Sequence, residues 1–368
     1  MSSIDETAFD ACERFLNGHG AASARPHLVL ADLAEEAGPD EEPDRYGEGK
    51  VIEGFEREVA TLLGKEAAVF MPSGTMAQQI ALRIWADRRR MSTVAFHPTC
   101  HLEIHEQKGY EFLHGLHGRL VGNRERLITL DDLCTMPGPL GALLLELPQR
   151  EIGGQLPAWS DLEAQTNWAR EREIPVHMDG ARLWESAPFY GRSYAEIAGL
   201  FDSVYVSFYK GIGAIAGAAL LGSAEFIAEA RVWQRRHGGN LVQMYPFVLS
   251  ARRNLRRRLD RFAGYHQRAL GVARVMASVP GISVKPDPPQ THMMHVYLHA
   301  SAEAALDASL DIARTERVLL FRRVQPTAVP GVTAFELSLG DAVEALTDDE
   351  LADYFGRVMA RPASSSRP

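Results

Sequence analysis

Short apolar runs alternate with longer amphipathic stretches through the middle of the chain. The amphipathic stretches, such as Val51–Leu63 and Thr75–Arg90, carry apolar residues at helical spacing. The runs between them are apolar at consecutive positions, which is typical of strands that are buried on both faces. This alternation predicts an α/β domain whose mostly parallel sheet is covered by helices. The runs predicted as strands are Ala67–Met71, Thr93–Phe96, Glu111–Leu116, Ala142–Leu147, Val176–Met178, Ser203–Phe208 and Ala218–Leu221.

The pattern changes after Gly222. Pro246–Ser278 is predicted as one long helical stretch with a break near Gly264, and short strands alternate with helices beyond it. We therefore expect a small α+β C-terminal domain. The expected divisions are an N-terminal arm with an acidic linker at 1–45, a large domain at 46–250, the small domain at 251–360 and a disordered tail at 361–368.

Composition narrows the classes of function. The 368 residues include 39 Lys and Arg against 48 Asp and Glu, so the net charge is −9. With no long basic run, we expect no nucleic-acid partner. Three scattered cysteines without a CxxC pair favour a reducing cytoplasm over a disulfide framework or a zinc site. The N-terminal segment lacks the apolar core of a signal peptide, and the longest apolar run, Ile212–Leu221, is too short to cross a membrane.

A carboxylate and a lysine follow two of the predicted strands. Val176–Met178 leads into Asp179, and Ser203–Phe208 leads into Lys210, which is one of only five lysines. Ligands of open α/β sheets bind at the carboxyl ends of the strands. A lysine that forms a Schiff base and an aspartate that keeps the pyridine nitrogen protonated are what pyridoxal 5'-phosphate requires. The pair therefore indicates a pyridoxal phosphate site, with Asp179 and Lys210 as catalytic residues.

A third segment, Pro72-Ser73-Gly74-Thr75, lies between a predicted strand and a predicted helix. Free N–H groups at a helix N-terminus, together with two hydroxyl groups, suit a phosphate, although Ser and Thr are also common helix caps. The GxxxxGKS motif of nucleotide phosphate loops is absent from the sequence. No GxGxxG motif follows an early strand, which argues against a dinucleotide-dependent oxidoreductase.

His101 belongs to a local group of histidines and one cysteine, His97-Pro-Thr-Cys100-His101 with His105. An imidazole ring at His101 would suit stacking on a pyridine ring. Histidine and cysteine side chains can also bind a metal, but this group lacks an HExxH motif and a cysteine pair, so we expect no metal. We expect His97 and His105 to be core or solvated side chains.

Six segments resemble the threonine aldolase / β-eliminating lyase family of fold-type-I pyridoxal phosphate enzymes. The resemblance covers roughly residues 44–250 in consistent order. It implies an aspartate-aminotransferase-like large domain, a small C-terminal domain, an amino acid substrate, and a homodimer or homotetramer with active sites at subunit interfaces. The segments are Tyr46-Gly47, LGKEAAVFMPSGT at 63–75, His101, DGARLWES at 179–186, SFYKGIG at 207–213 and WQRRHGG at 233–239.

The resemblance also implies roles for individual residues. Lys210 holds the Schiff-base position, Asp179 the position of the pyridinium partner, and His101 that of the stacking histidine. Arg182 occupies an arginine position that family members use for the substrate carboxylate, and a guanidinium suits that task because it binds a carboxylate in a bidentate fork. Tyr46 is expected to reach a neighbouring subunit's site. The implied phosphate-binding residues are Ser73, Gly74, Thr75 and Ser207.

Four departures from the family pattern concern the substrate. Gln149 or Arg150 stands where the family commonly has a histidine that handles the substrate hydroxyl, and the amide of a glutamine cannot act as a base. GHGAASARP at 18–26 replaces an Arg-Ser-Asp-Thr segment, and Asn240 follows WQRRHGG where an arginine is expected near the phosphate. The small-domain arginine is also missing, with Arg322 or Arg323 as its possible replacement.

The expected reaction is the cleavage of a β-hydroxy-α-amino acid to glycine and an aldehyde. Because of Gln149, we expect threonine to be a poor substrate, and a bulkier substrate that contacts Phe335 to be a better one. Two alternatives remain open. The chain could carry out β-elimination or other chemistry at Cα of a different amino acid, or it could be a non-catalytic homologue.

Overall fold

The structure, a computed structural model, describes residues 7–20 and 25–361. Its α-helices are α1 (Thr7–Asp10), α2 (Pro26–Ala37), α3 (Lys50–Leu62), α4 (Gly74–Arg89), α5 (His101–Ile104), α6 (Gly109–His114), α7 (Leu130–Thr135), α8 (Trp159–Arg170), α9 (Ala187–Tyr190), α10 (Tyr194–Gly199), α11 (Ala224–Arg236), α12 (Tyr245–Arg258), α13 (Phe262–Ser278), α14 (Ala302–Glu316) and α15 (Asp348–Ala360). Its strands are β1 (Arg14–Phe15), β2 (Ala67–Met71), β3 (Thr93–Phe96), β4 (His117–Leu120), β5 (Ala142–Glu146), β6 (Val176–Gly180), β7 (Ser203–Ser207), β8 (Ala218–Gly222), β9 (Ile282–Lys285), β10 (Met293–Leu298), β11 (Val318–Leu319), β12 (Gln325–Pro326) and β13 (Thr333–Ser338).

The described residues form two units, one of which is Leu33–Asp260. This unit contains a seven-stranded sheet with the order β2-β8-β7-β6-β5-β3-β4. Neighbouring strands from β7 to β4 run parallel, whereas β8 is antiparallel to both β7 and β2. The prediction of a mostly parallel sheet with helices is confirmed. Since two antiparallel pairings restore the direction, β2 points the same way as β5, β6 and β7, and their carboxyl ends lie at one edge.

Helix α4 packs one apolar face on this sheet. Ala77, Ile80 and Ile84 recur at the spacing of one helix face, and all three are fully buried with Val69 of β2 and Leu220 of β8 in one hydrophobic cluster. Burying one large aliphatic side chain stabilises a fold by about 1.5–3 kcal/mol. Because only Pro72 and Ser73 separate the end of β2 from the start of α4, the N-terminus of α4 lies at the edge where the strands end.

The second unit combines the described residues up to Asp32 with those from Arg261 onward. It contains a four-stranded antiparallel sheet, β12-β13-β10-β9, and a short parallel pair, β1-β11. Alternate residues of β13 face its core, and Phe335 stacks there on Phe321 with ring centroids 4.7 Å apart. Phe335 is therefore a core residue of this unit, and our expectation that it offers a substrate contact is wrong.

Two predicted elements differ from the structure. Glu111–Leu116 is not a strand, because α6 occupies most of it and β4 follows. Phe112 and Leu113 are 81% and 68% exposed, so this apolar run is not a buried strand, and Gly115 ends the helix with φ +61°. The long helical stretch breaks at the 3-10 turn Leu259–Arg261, and α13 continues through Gly264.

The two units divide after Asp32 and after Asp260, so the first described residues group with the C-terminal part of the chain. The sequence-based division into domains at 46–250 and 251–360 stays a prediction. The predicted disordered tail at 361–368 lies outside the described residues, apart from residue 361. Within 7–20 and 25–361, no helix combines the length and apolar character that crossing a membrane requires.

Candidate active site

Three strand ends bring the predicted catalytic residues to one edge of the large sheet. Asp179 of β6 pairs in register with Glu146 of β5 on one side and with Tyr205 of β7 on the other. Ser207 ends β7, and Lys210 follows it by three residues. The carboxyl groups of Asp179 and Glu146 both act to raise the pKa of Lys210, so the lysine amine lies near these two groups. The sheet register therefore brings the lysine and the aspartate into one electrostatic neighbourhood.

Asp179 is 1% exposed, and both carboxylate oxygens accept a hydrogen bond. The side-chain amide of Gln78 in α4 donates to Oδ2 at 2.5 Å, and the backbone N–H of Ala181 donates to Oδ1 at 3.0 Å. A buried carboxylate needs such donors, because an unpaired charge in the interior is costly. These contacts fix the orientation of the carboxylate at the end of β6.

Lys210 lies in a turn that its own backbone closes. The N–H of Gly213, whose φ of +74° suits glycine, donates to the carbonyl of Lys210 at 2.8 Å. Burial lowers the pKa of the Lys210 amine, and the Arg182 guanidinium lowers it further, while Asp179 and Glu146 oppose both. A lowered pKa increases the fraction of neutral amine, which is the nucleophilic form.

The segment Ser73–Thr75 forms the first turn of α4. Ser73 caps the helix by accepting a hydrogen bond from the N–H of Met76 at 3.3 Å. Gly74 is required here, because a Cβ at this position would overlap the hydroxyl group of Tyr205. The N–H groups of Gly74 and Thr75 have no acceptor within the helix, as at every helix N-terminus. The turn thus combines a helix cap with N–H groups that can bind an anion.

Ser207 adds a polar group that the protein does not satisfy. Its side chain is fully buried, and its Oγ has no hydrogen-bond partner among the residues that the structure describes. Buried hydroxyl groups are normally paired, so an orphaned one calls for an acceptor or donor from outside the protein. A phosphate oxygen near the N-terminus of α4 would satisfy it. The residues present therefore fit pyridoxal phosphate, with Lys210 for the aldehyde carbon, Asp179 for the pyridine nitrogen, and Ser207 with Ser73–Thr75 for the phosphate.

His101 begins the short helix α5, and a carboxylate holds its ring. Nδ1 lies 2.9 Å from Oε1 of Glu106, whose other oxygen accepts a hydrogen bond from the side-chain amide of Gln79 at 3.2 Å. The ring of His105 lies 5.1 Å from that of His101. His105 is exposed, and His97 is buried and bonded to Thr99, so both fit the expectation of a core or solvated side chain.

Gln149 is buried and bonded to Glu146, which sequence reasoning did not assign to the site. Nε2 of Gln149 donates to Oε2 of Glu146 at 3.1 Å, and the backbone N–H of Arg150 donates to Oε1 at 3.2 Å. Burial raises the pKa of Glu146 above its usual range, and the nearby Asp179 carboxylate raises it further. The missed signal was a carboxylate at the end of a strand that is otherwise entirely apolar.

The remaining predicted site residues have different surroundings. Arg182 is largely buried, and its Nε lies 3.7 Å from Oε1 of Glu185. Tyr46 is 50% exposed in a turn with φ +52°, and its N–H donates to the carbonyl of Val242 at 3.0 Å. Its role in a neighbouring subunit's site therefore stays a prediction. Arg322, the suggested replacement for the small-domain arginine, pairs with Asp10 at 3.0 Å.

Comparisons with known proteins agree with this geometry. The family model described as "Beta-eliminating lyase" matches residues 33–299. "Low-specificity L-threonine aldolase 1" of Arabidopsis thaliana is 27% identical over 278 residues, which are 73% of this chain and 77% of that protein. The low specificity L-threonine aldolase of Escherichia coli (strain K12) is 26% identical over 269 residues, which are 72% of this chain and 79% of that protein.

Two solved structures are similar over almost the whole chain. One, from Listeria monocytogenes EGD-E, is provisionally named an L-allo-threonine aldolase and is 44% identical, with a TM-score of 0.92 over 96% of this chain and 98% of that one. The other, from Exiguobacterium sp. 255-15, is provisionally named an aromatic amino acid β-eliminating lyase/threonine aldolase. It is 42% identical, with a TM-score of 0.90 over the same shares of the two chains.

Proposed function

The chain belongs to the β-eliminating lyase family and is a pyridoxal-phosphate-dependent lyase, and we propose that it cleaves a β-hydroxy-α-amino acid to glycine and an aldehyde. The observation that carries the proposal is the placement of Lys210, Asp179 and the orphaned Ser207 hydroxyl at one edge of the sheet, beside the N-terminus of α4. Bound pyridoxal phosphate supplies the electron sink that such a cleavage requires.

The chain's own residues bind and orient the reacting groups. Lys210 holds the cofactor through its amine, and the lowered pKa of that amine favours the neutral form. Asp179 keeps a proton on the ring nitrogen, because its buried carboxylate stabilises a positive charge beside it. His101 would stack on the pyridine ring of the bound cofactor. Arg182 binds the substrate carboxylate in a bidentate fork and thereby fixes the amino acid at the ring.

A proton must also leave the β-hydroxyl group of the substrate. Gln149 occupies the position of the family histidine, and its amide cannot accept that proton. His105 is already engaged elsewhere, because its Nε2 lies 2.9 Å from Oε1 of Glu151 and 3.2 Å from the Arg150 guanidinium. Losing a general base costs about 10²–10⁴ in rate. We therefore expect substrates with a more acidic hydroxyl or a more stable aldehyde product to react faster than threonine.

The test compares kcat/KM of the holoprotein for threonine, phenylserine and a β-substituted alanine, with the products identified. Glycine and an aldehyde from the hydroxy amino acids, with phenylserine ahead of threonine, support the proposal. Pyruvate and ammonia from the substituted alanine alone would instead support β-elimination. No turnover of any of the three would support a non-catalytic homologue. Threonine ahead by a wide margin would contradict the interpretation of Gln149.

Assembly and location form a further part of the proposal. Tyr46 is exposed and matches a family position that reaches a partner's site, which supports a homodimer or homotetramer. Cys12, Cys100 and Cys134 are free thiols, which supports a reducing cytoplasm as the location.

A further inference from the structure

Two adjacent glutamines of α4 donate hydrogen bonds to the carboxylates of Asp179 and Glu106. Gln78 donates to Oδ2 of Asp179 at 2.5 Å, and Gln79 donates to Oε2 of Glu106 at 3.2 Å. Glu106 in turn lies 2.9 Å from Nδ1 of His101. The same helix begins with the phosphate-binding turn. We propose that α4 aligns the cofactor ring, with Gln78 positioning Asp179 and Gln79 positioning His101 through Glu106.

The inference rests on the proposed function, and the contacts of Gln78 argue against a purely structural role. The side chain is 1% exposed, and its Oε1 has no hydrogen-bond partner in the described part of the chain. A glutamine that only filled the core would leave this oxygen unsatisfied at a cost. The amide must direct its nitrogen at Asp179, because its oxygen would meet a second acceptor there. The hydrogen bond to Asp179 therefore explains why a glutamine occupies this position.

The absence of a side chain at Gly109 leaves room for the amide of Gln79. A Cβ at Gly109 would overlap Nε2 of Gln79, so glycine at the start of α6 admits the amide. The amide reaches a carboxylate that is itself bonded to an imidazole, and such a chain fixes the orientation of the ring. Because i and i+1 side chains diverge around a helix, one rigid element contacts Asp179 directly and His101 through Glu106.

The hydrogen bond from Gln78 matters because Asp179 lies among other titratable groups. The Glu146 carboxyl faces Asp179 across the sheet, and ionisation of both would place two like charges one strand apart. The N–H donor on Oδ2 gives a hydrogen-bond partner to a carboxylate that is buried beside Glu146. The other titratable groups that interact electrostatically with Asp179 are Cys100, His177, Tyr205 and Lys210.

The test uses the holoenzyme with Gln78→Met and Gln79→Met, since methionine keeps the length and volume of glutamine but has no N–H donor. The matched control is Gln165→Met, because Gln165 is equally buried in the same unit and donates to a backbone carbonyl, that of Ile128, at 2.8 Å. Three quantities are measured: the visible spectrum of the bound cofactor against pH, the Kd of the cofactor, and kcat and KM separately.

For Gln78→Met we expect a shifted cofactor spectrum, a changed pH dependence of that spectrum, and kcat lower by about ten- to hundredfold with KM little changed. That is the effect of one lost charge-assisted hydrogen bond. For Gln79→Met we expect an unmoved pH profile and a Kd for the cofactor that rises about two- to tenfold. Gly109→Ala should reproduce the Gln79→Met result, because it displaces the same amide without removing it.

If Gln78→Met and Gln79→Met both show the spectra, Kd and kcat of Gln165→Met, the inference is wrong. If either methionine variant does not fold, Gln78→Glu or Gly109→Ala supplies the same measurements. If the wild-type holoprotein binds cofactor but cleaves no β-hydroxy amino acid, the proposed function fails, and the spectra still decide the inference. A wild-type protein that binds no cofactor overturns both.

Discussion

At the scale of single residues, two carboxyl groups at neighbouring strand ends have different surroundings. Asp179 accepts hydrogen bonds from Gln78 and from the backbone, and it is buried. Glu146 has a raised pKa because of burial and the Asp179 charge. The pair avoids two adjacent negative charges if Glu146 holds a proton. Asp179 can then carry the negative charge that its proposed role beside the pyridine nitrogen requires.

Replacing Asp179 by asparagine should therefore affect turnover and leave the fold intact. The asparagine side chain would keep the shape and lose the negative charge, so an interaction needed in the transition state disappears. We expect a folded protein that still binds cofactor, with kcat lower by several orders of magnitude. Circular dichroism, cofactor absorbance and kcat provide the measurements. Turnover close to that of wild type would refute the role of Asp179.

Replacing Glu146 by glutamine should change how stability depends on pH. The folded protein binds the Glu146 proton more tightly than the unfolded chain, in which a glutamate has a pKa of about 4.3. Stability from this group is present below that pH and is lost as pH rises through the raised pKa of the folded state. In Glu146→Gln, the free energy of unfolding should fall less with rising pH. Denaturant titrations at several pH values measure this, and parallel curves for the two proteins would contradict it.

Helix α4 carries both glutamines and the turn that we propose for the phosphate. Its start depends on Gly74, where a Cβ would overlap Tyr205, whose ring is held in the core. Gly54, inside α3, has open space around the corresponding position and is not at positive φ. The two glycines thus offer a matched comparison.

We expect Gly74→Ala to displace the helix start and to weaken cofactor binding by at least about tenfold, the equivalent of one hydrogen bond to a charged group. Gly54→Ala should instead stabilise the protein by about 0.5–1 kcal/mol, because alanine is the better helix former. Cofactor Kd and thermal unfolding of both variants provide the measurement. Unchanged cofactor affinity in Gly74→Ala would show that the close approach to Tyr205 is not needed for the site.

The sequence predicts most elements of the large sheet, because buried parallel strands are apolar at every position. β2 and β3 match the predicted bounds residue for residue. α6 was missed because Phe112 and Leu113 form an apolar run that the fold leaves exposed. Gln78 was missed for another reason: its partner Asp179 lies 101 residues away in sequence, and a buried amide has no periodic signature. Only the sheet register shows that Glu146 and Asp179 are neighbours.

At the scale of the whole molecule, the proposal concerns the oligomeric state. Tyr46 is half exposed, although its turn is well anchored: Asp44 accepts hydrogen bonds from the N–H groups of Met244 and Tyr245 at 2.8 and 2.7 Å. An anchored turn that presents an exposed aromatic ring suits a contact with a second copy. This geometry supports an assembly in which Tyr46 is covered.

We expect the holoprotein to be at least a dimer and Tyr46→Ala to lower kcat/KM more than it lowers stability. Sedimentation of the wild-type protein gives the oligomeric state. Leu30→Ala is a suitable control, because Leu30 is 63% exposed on α2 and has no assigned role. A stable, fully active monomer would rule out any role for Tyr46 in a partner's site.

Borohydride reduction followed by peptide mapping tests the central claim, that Lys210 carries pyridoxal phosphate at this sheet edge. Reduction should bleach the yellow chromophore and leave the cofactor on the peptide that contains Lys210. The other four lysines, Lys50, Lys65, Lys108 and Lys285, should be unlabelled. Lys210→Ala should show neither the chromophore nor the label. A label on Lys65 or Lys108, or a chromophore that survives in Lys210→Ala, would contradict the account.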